Sequence, residues 1–533
     1  MTAAALAVLA VTFSAGVRSI AQATPASSSS SGDTDRILLV LPFDNRTGQP
    51  SLEWVREAAA EVLSSRFTSA GFAPMSRADR LYALDHLGLP QGFQPSRASS
   101  IKLAQTLDAN SIVVGSYLTD GEGIIAEAEI VDVPHLRMGP QVTARGEMRN
   151  LIGIFDSLAW KLTRQLDPNF NVAEETFVAA GAGLRVDAFE QYIRGITEPD
   201  QAERLRHLKS AVQLSPAFSQ AWMALGREYY AGQQYDQAAI AFAKVGHEDP
   251  DALEAGFYRG LSLLYSGEYG NAEKAFADVA RVLPLAEVLN NEGVAASRRG
   301  HDGIGLFRQA ETADPNAADY HFNIALSLKR HGDAPGAQAE LTQALRMHPA
   351  DAEAQALDRS WKGLPAAASA DDDVQPDPLE RIERRFDAMA FRQAAAMMDQ
   401  MEAARLAALK PLERARTLAA QAKGYLDRGL LLEAERLYLD AVAADGSAAE
   451  AHAGLAEVRE KTGDAADARK EAHAALNLSG SAEAYVVLGR LDLADNHIAE
   501  AGNEAGEALK LEPGNRAAEE LRRAVASRQP LKQ

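Results

Sequence analysis

Cysteine is absent from this chain of 533 residues. Without a thiol the chain forms no disulfide, thiolate metal site, cysteine nucleophile or lipidated amino-terminal cysteine. Aromatic residues are also scarce, at 6% against 47% hydrophobic residues, so the apolar mass is mostly small and aliphatic. This composition favours closely packed helices over an aromatic-rich core. At roughly 100 to 200 residues per domain, the length predicts several domains.

Basic residues are outnumbered, with 54 Lys and Arg against 74 Asp and Glu. The formal net charge of −20 opposes attraction to phosphate backbones and anionic lipids. We therefore expect a protein or peptide partner and no nucleic acid.

Known catalytic and cofactor motifs are missing as well. The 11 His are scattered, and the sequence has no His-Glu-x-x-His element, nucleophile elbow, phosphate loop or dinucleotide-binding glycine pattern. We expect no enzyme activity, cofactor or metal. The alternative is an enzyme built on the amino-terminal domain, which requires a deep polar pocket near Asp44, Asn45 and Asp120.

The amino terminus has the pattern of an export signal. Residues 2–17 form an apolar run, and Ala21-Gln22-Ala23 supplies the small residues that signal peptidase accepts. We predict a signal peptide over residues 1–23, a Ser-rich tether over 24–35, and a periplasmic or secreted protein. No Lys or Arg precedes the run, and an uncleaved membrane anchor is the alternative.

Residues 36–168 predict a small α+β sheet domain with helices on one face. Ile37–Phe43 is a continuous apolar run typical of a buried strand, and residues 52–67 have a helical period. Strand-like runs at 111–118 and 124–133 flank the turn Asp120-Gly121-Glu122-Gly123, which indicates a hairpin. A shorter strand at 71–75, two helices between 77 and 107, a third antiparallel strand at 142–148 and a closing helix at 151–162 complete the prediction.

Several segments of this domain resemble a family of envelope proteins. They are VLPFDNRTG (Val40 to Gly48), SIVVGSY (Ser111 to Tyr117) and AEAEIVDV (Ala126 to Val133). They are similar to the α/β domain shared by the TolB amino terminus and the FlgO and CsgG proteins. The resemblance implies an envelope-associated interaction domain without catalytic residues.

A 34-residue period dominates the rest of the chain. In the unit that begins at Ser219, small and large apolar residues recur at fixed positions: Trp222, Leu225, Gly226, Tyr229, Ala238, Phe242, Val245 and Pro250. The pattern resembles the tetratricopeptide repeat. Further units begin near Leu253, Ala286, Ala318, Ala415, Ala449 and Ala482.

The repeats predict two helical arrays. Because no unit buries its apolar face alone, stacked units form a solenoid. We place the first array at 185–355, a linker rich in Pro and Asp at 356–377, and the second array at 378–527. Degenerate units are expected at 185–216 and 378–409, and a capping helix at 515–527.

The first helices of the units in such arrays line one shared face. In the first array that face is aromatic and amide-rich, which suits an extended peptide because amides pair with its backbone while aromatics contact its side chains. The candidate peptide-binding residues are Met223, Arg227, Tyr230, Phe257, Tyr258, Leu261, Tyr265, Asn290, Asn291, Phe322, Asn323 and Arg330. The alternative is that several of them only pack between units.

Together these patterns predict a mainly α protein, a tetratricopeptide α-solenoid preceded by a small sheet domain. The function we expect is a non-catalytic bacterial envelope scaffold or assembly adaptor that binds polypeptides. The alternative is a cytoplasmic regulatory module with the same repeats. The sequence predicts no oligomeric state.

Overall fold

The protein is described by a computed structural model covering residues 37–90, 96–363 except 122 and 182, 378–387, 397 and 400–528. The predicted signal peptide and the whole Ser-rich tether lie outside the described residues. Within the described part, the chain forms a small mixed-sheet domain, the head, followed by two arrays of helix pairs. The chain is thus mainly α, as its repeats predict.

The head is built on a mixed sheet with the order β3-β1-β4-β5-β6. β4 pairs parallel with β1 and β2 and antiparallel with β5, and β5 also pairs antiparallel with β6 and β7. The hairpin of β4 and β5 closes at Asp120 and Gly123, as the glycine-rich turn predicts. The strands are β1 Ile37–Val40, β2 Asp44–Asn45, β3 Ala73–Pro74, β4 Ser111–Asp120, β5 Gly123–Asp132, β6 Arg137–Met138 and β7 Val142–Glu147.

Helices cover both faces of this sheet, so the prediction of helices on one face is wrong. Leu38 and Val40 of β1 pack with the helices α1 and α4, whereas Leu39 and Leu41 pack with residues of α2 and α3. A strand buried on both faces is a continuous apolar run and lacks alternation, which explains the sequence of β1. The head helices are α1 Val55–Ser69, α2 Arg77–His86, α3 Arg97–Thr106, α4 Leu151–Leu166 and α5 Glu174–Ala179.

The first array consists of consecutive helix pairs that follow the 34-residue period. Its helices are α6 Val186–Thr197, α7 Gln201–Leu214, α8 Ser219–Ala231, α9 Tyr235–Phe242, α10 Ala252–Tyr265, α11 Tyr269–Val282, α12 Ala286–Arg298, α13 Ile304–Ala313, α14 Ala318–Arg330, α15 Ala334–Met347 and α16 Ala352–Trp361. Since α16 continues to Trp361, the predicted linker 356–377 begins inside a helix.

The second array begins later than the sequence suggests. Residues 378–387 are not helical, so no repeat unit begins at Pro378, and a helix is described at 400–407. The regular units follow as α17 Pro411–Asp427, α18 Leu431–Ala444, α19 Ala449–Thr462, α20 Ala465–Leu478, α21 Ala482–Ala494, α22 Ile498–Leu511 and α23 Arg516–Arg528. The last of these occupies the position of the expected capping helix.

A left-handed residue separates the two helices of each regular unit. Glycine, which adopts positive φ at little cost, supplies it in most units. The residues are Gln233, Gly267, Gly300 and Gly332 in the first array and Gly429, Gly463 and Asn496 in the second. Their spacing repeats the sequence period and fixes the turn of each helix pair.

Both arrays are attached to the head. One buried core continues from α1 and α4 of the head through α6 and α7 to Ala221 and Leu225 of α8, and it includes Leu432 of α18. No helix within the described residues combines the length and apolar character needed to cross a bilayer.

Candidate peptide-binding groove

Residues 378–387, which we call the internal segment, lie across the face formed by the first helices of the first array. Its side chains and backbone contact α14 first, then α12, then α10. We call this face the groove and define it by the residues that contact the internal segment. The chain itself therefore supplies an extended peptide on the surface where the sequence predicts one.

Asparagine side chains hold the backbone of the internal segment. Asn323 accepts the Arg381 N–H at 2.7 Å and donates to the Arg381 carbonyl at 2.8 Å. Asn291 does the same for Glu383, at 2.9 and 2.7 Å. Because residues two apart in an extended chain present their backbone groups to the same side, two asparagines on neighbouring helices read alternate residues.

Asn290 links these two amides into one network. Its Nδ2 donates to the Arg381 carbonyl at 3.0 Å, and its Oδ1 accepts from Asn323 Nδ2 at 2.8 Å. All three asparagines are fully buried. A buried amide without a partner is costly, so these side chains require a peptide backbone, or water in its place.

Glu380 is anchored by basic and hydroxyl groups at one end of the groove. Its carboxylate accepts from Arg330 Nη1 and from Ser297 Oγ, and its carbonyl accepts from Arg298 Nη2 at 3.2 Å. The side chain is 1% exposed. This end of the groove therefore selects a carboxylate.

Arg381 enters an acidic pocket beside the asparagines. Its guanidinium contacts Asp351 at 2.6 and 3.0 Å and Asp319 at 2.8 Å, and lies 3.7 Å from the centroid of the Phe322 ring. Glu353 adds a contact at 3.1 Å. Bidentate pairing with a carboxylate and stacking on a ring are both properties of arginine that lysine lacks.

The other end of the groove is apolar. The Phe386 ring lies 5.6 Å from the Phe257 ring, and Ile382 packs against the same buried cluster. Beyond it, the N–H of Asp387 donates to Glu287 at 2.9 Å. A complete occupant thus presents a carboxylate, a guanidinium and an aromatic ring along one extended stretch.

Charge states in the groove follow from burial and pairing. Burial raises the pKa of Asp351, but the hydrogen bonds from Arg381 outweigh it, and the pKa falls below its ordinary value. Burial also raises the pKa of Glu287 and of Tyr258, and a backbone hydrogen bond opposes it in both. The carboxylate that receives Arg381 is therefore ionised at neutral pH.

The predicted site residues divide into two groups. Seven contact the internal segment: Phe257, Tyr258, Asn290, Asn291, Phe322, Asn323 and Arg330. Tyr258 does so through a hydrogen bond with the Phe386 backbone. Whether these residues bind a separate partner stays a prediction.

The remaining predicted residues pack within the first array, against neighbouring helices. Met223 and Leu261 are buried in the array core. Tyr230 and Tyr265 form an aromatic cluster with Tyr235, and Arg227 pairs with Glu254 at 2.8 Å. For these residues the packing alternative describes the geometry better.

Other contacting residues do not appear among the sequence candidates. Three of them, Glu287, Asp319 and Arg298, lie near the ends of the first helices of their units, and Asp351 is the N-cap of α16. Glu287 and Asp319 are each the second residue of their helix, and Arg298 ends α12 as the predicted Arg330 ends α14. The repeat positions were therefore the available signal for these three residues, whereas Asp351 lies outside the regular helices.

Two groups of acidic and histidine side chains lie close enough to suggest metal ligands: Glu311, His321 and Glu340, and Asp492, Asp495 and His497. In the first, Arg308 pairs with Glu311 and Glu340. In the second, Arg469 pairs with both aspartates at 2.6 Å. In each group one guanidinium pairs with both carboxylates, so an ion-pair network accounts for their proximity.

Asp44 and Asn45 form the short strand β2, and a polar turn follows them at the surface of the head. Asn45 Oδ1 accepts from the Thr47 N–H at 3.0 Å and its hydroxyl at 2.6 Å, and Asp44 pairs with Arg46. Asp120 is exposed at the far end of β4. A cavity beside Arg46 measures about 160 Å³. The hydrogen bonds and the ion pair of this turn account for the polar residues.

Comparison with known proteins supports the class of this fold. The tetratricopeptide repeat family model matches residues 322–357, which cover most of α14, all of α15 and the first part of α16. The chain is a tetratricopeptide α-solenoid preceded by a small mixed-sheet domain, and its repeats are of a kind that mediates protein–protein interaction. A search of curated proteins finds no match.

Solved structures show partial likenesses. YrrB, described as a TPR protein with an unusual peptide-binding site, is 17% identical, with 32% of this chain and 90% of YrrB covered and a TM-score of 0.29. MamA from Desulfovibrio magneticus is 20% identical, with 32% and 99% covered and a TM-score of 0.29. The LpoB C-terminal domain from Escherichia coli is 21% identical, with 21% and 84% covered and a TM-score of 0.20. At these values the likenesses carry no functional argument, and the resemblance of the head to TolB stays a prediction.

Proposed function

We propose that this protein is a non-catalytic scaffold of the bacterial envelope that binds an extended polypeptide in the groove of its first array. The observation that carries the proposal is the pair of bidentate contacts from Asn291 and Asn323 to a peptide backbone. Such contacts recognise the main chain of any extended peptide, while the charged and aromatic contacts beside them select its side chains.

A peptide-display library tests the binding function. Random peptides would be selected on the full chain and on a matched double variant, Asn291→Ala with Asn323→Ala. The proposal expects peptides that bind the unchanged chain and lose affinity for the double variant. Selection that yields only peptides indifferent to the two asparagines would refute it.

The envelope location rests on separate support. It comes from the apolar run at residues 2–17, the small residues before Thr24 and the resemblance of the 40–133 segments to envelope proteins. Mass spectrometry of the mature amino terminus from cell fractions tests it. A start near Thr24 in the periplasmic fraction supports the scaffold, whereas an intact terminus in the cytoplasm would favour the regulatory alternative.

A further inference from the structure

We propose that the internal segment is a built-in competitor: it fills the groove in the free protein, and the partner displaces it with the same pattern, Glu-Arg-apolar followed four residues later by an aromatic. The pattern is that of Glu380, Arg381, Ile382 and Phe386. This inference rests on the proposed function, and it names the chemistry of the partner and the regulation of the groove.

The contacts of the internal segment define the pattern. Each of its anchors meets a separate complementary group: Glu380 meets Arg330, Arg381 meets Asp351, and Phe386 meets Phe257. Arg384 and Arg385 are exposed, so these positions place little demand on a partner. The asparagines contact only the backbone of the internal segment, so any peptide with these anchors can form the same hydrogen bonds.

The charges of the groove are complementary to those of this peptide. Both ionic anchors are oppositely charged to their pockets, so reversing either charge places like charges together. The acidic pocket around Arg381 contains Asp319, Asp351 and Glu353, and the neighbouring site around Glu380 contains Arg298 and Arg330. A partner with the charges exchanged would be repelled at both positions.

Covalent attachment makes the internal segment an effective competitor. A tethered ligand acts at an effective concentration on the order of millimolar, so it occupies a weak site that the free peptide would leave empty. If about 1% of molecules have an open groove, the apparent affinity for a free peptide falls about 100-fold. Occupancy in cis therefore sets a threshold that a partner must exceed.

The test uses a fluorescent peptide with the sequence of residues 378–387 and the full chain. Anisotropy would be compared for the unchanged chain and for Arg381→Glu, which disables the internal segment and leaves every groove side chain intact. We expect binding to Arg381→Glu that is at least about tenfold tighter. A peptide that itself carries Arg381→Glu should not bind.

Equal affinity for both proteins would overturn the competition, and a peptide that binds neither would overturn the recognition pattern. Circular dichroism checks that Arg381→Glu folds; if it does not, Glu380→Ala replaces it. Hydrogen exchange provides a measurement on the unchanged chain: the amides of Arg381 and Glu383 should be protected, and excess unlabelled peptide should remove that protection. Unprotected amides would contradict the proposal.

Two further outcomes separate this inference from its basis and from exchange between copies. Display peptides that depend on Asn291 and Asn323 but lack the pattern would keep the proposed function and overturn this inference. Light scattering that shows a dimer, converted to monomer by Arg381→Glu, would assign the segment to a second copy and overturn occupancy in cis.

Discussion

At the scale of single residues, small side chains control how closely the paired helices approach. The position of a Cβ atom added at Gly226 lies 2.6 Å from the Phe242 ring, and equivalent contacts occur between Gly260 and Phe276 and between Gly293 and Phe307. The rings are buried, so they have little freedom to move aside. Glycine at this repeat position is therefore a packing requirement.

Gly226→Ala is expected to destabilise the protein although alanine is the better helix former. The methyl group meets a buried ring, and overpacking of this kind costs about 1 to 3 kcal/mol. Thermal unfolding measures the change. The matched control is Gly506→Ala in α22, where an added Cβ has nothing within 4 Å; it should raise stability by up to about 1 kcal/mol. A Gly226→Ala protein that melts at the same temperature as the unchanged protein would contradict the packing account.

Glu292 makes stability depend on pH. Burial raises its pKa to about 7, and the negative charge of Glu273 adds to the effect. The folded state then holds the proton more tightly than the unfolded state, so its contribution to stability falls as pH rises from about 4.5 through about 7. Glu273 also pairs with Arg299 at 2.7 Å.

Glu292→Gln should remove this loss of stability at high pH. We expect a melting temperature above that of the unchanged protein at pH 8 and the same melting temperature near pH 4, because the carboxyl is protonated there. The control is Glu175→Gln at an exposed position of α5, which should not produce this pH-dependent difference in melting temperature. A Glu292→Gln difference that is constant across this range would show that the carboxyl does not titrate as described.

Repeat positions in the sequence predict most of the groove, including Arg330 at one end and Phe257 at the other. The asparagines and Phe322 occupy inward positions fixed by the period, so their place on the shared face follows from helical geometry. Asp351 contacts the internal segment from the N-cap of α16, outside the inward positions that the period fixes. Which inward residues face a ligand and which pack, as Met223 and Leu261 do, depends on the neighbouring helices.

At the scale of elements, the regular helix pairs follow from the sequence because each unit repeats the same local requirements. The head shows the limit of such reasoning. The continuous apolar run of β1 indicates a buried strand, but burial on both faces depends on where α2 and α3 lie. The internal segment shows the same limit, since its position depends on contacts with residues about 30 to 130 positions earlier in the sequence.

The last helix, α23, covers the apolar end of the second array. Leu521 is 4% exposed and packs with Leu493, Ala501 and Ala505 of the preceding unit. Leu521→Ala is expected to cost about 2 to 5 kcal/mol through the cavity that it leaves. In a solenoid the loss concentrates in the neighbouring unit.

Hydrogen exchange should therefore accelerate in α21 to α23 after Leu521→Ala and stay unchanged in the head. The matched substitution is Leu511→Ala, at a side chain that is 48% exposed in the same terminal unit. It should leave both exchange and stability nearly unaltered. Faster exchange across the whole chain would show that the arrays do not respond locally.

At the scale of the whole molecule, the second array packs against the head. Glu435 of α18 is fully buried, accepts the Ala173 N–H at 3.2 Å, and pairs with Arg459 at 3.3 Å. Thr176 and Thr462 form a hydroxyl contact of 3.3 Å beside it. Arg428 and Glu248 connect the second array to the first at 3.2 Å. The second array is thus held by the head and by the first array, independently of the internal segment.

Leu432→Asp should release the second array from the head without unfolding it. Leu432 is 1% exposed and shares a buried cluster with Phe170, Val172 and Phe177 of the head. A charge there is costly to bury, so separation of the surfaces is the cheaper response. We expect a larger radius of gyration in small-angle X-ray scattering, with helicity retained. Leu478→Asp, at a half-exposed position of the same array, should leave the radius unchanged. An unchanged radius for Leu432→Asp as well would mean that the polar contacts of Glu435 and Thr176 suffice to hold the array.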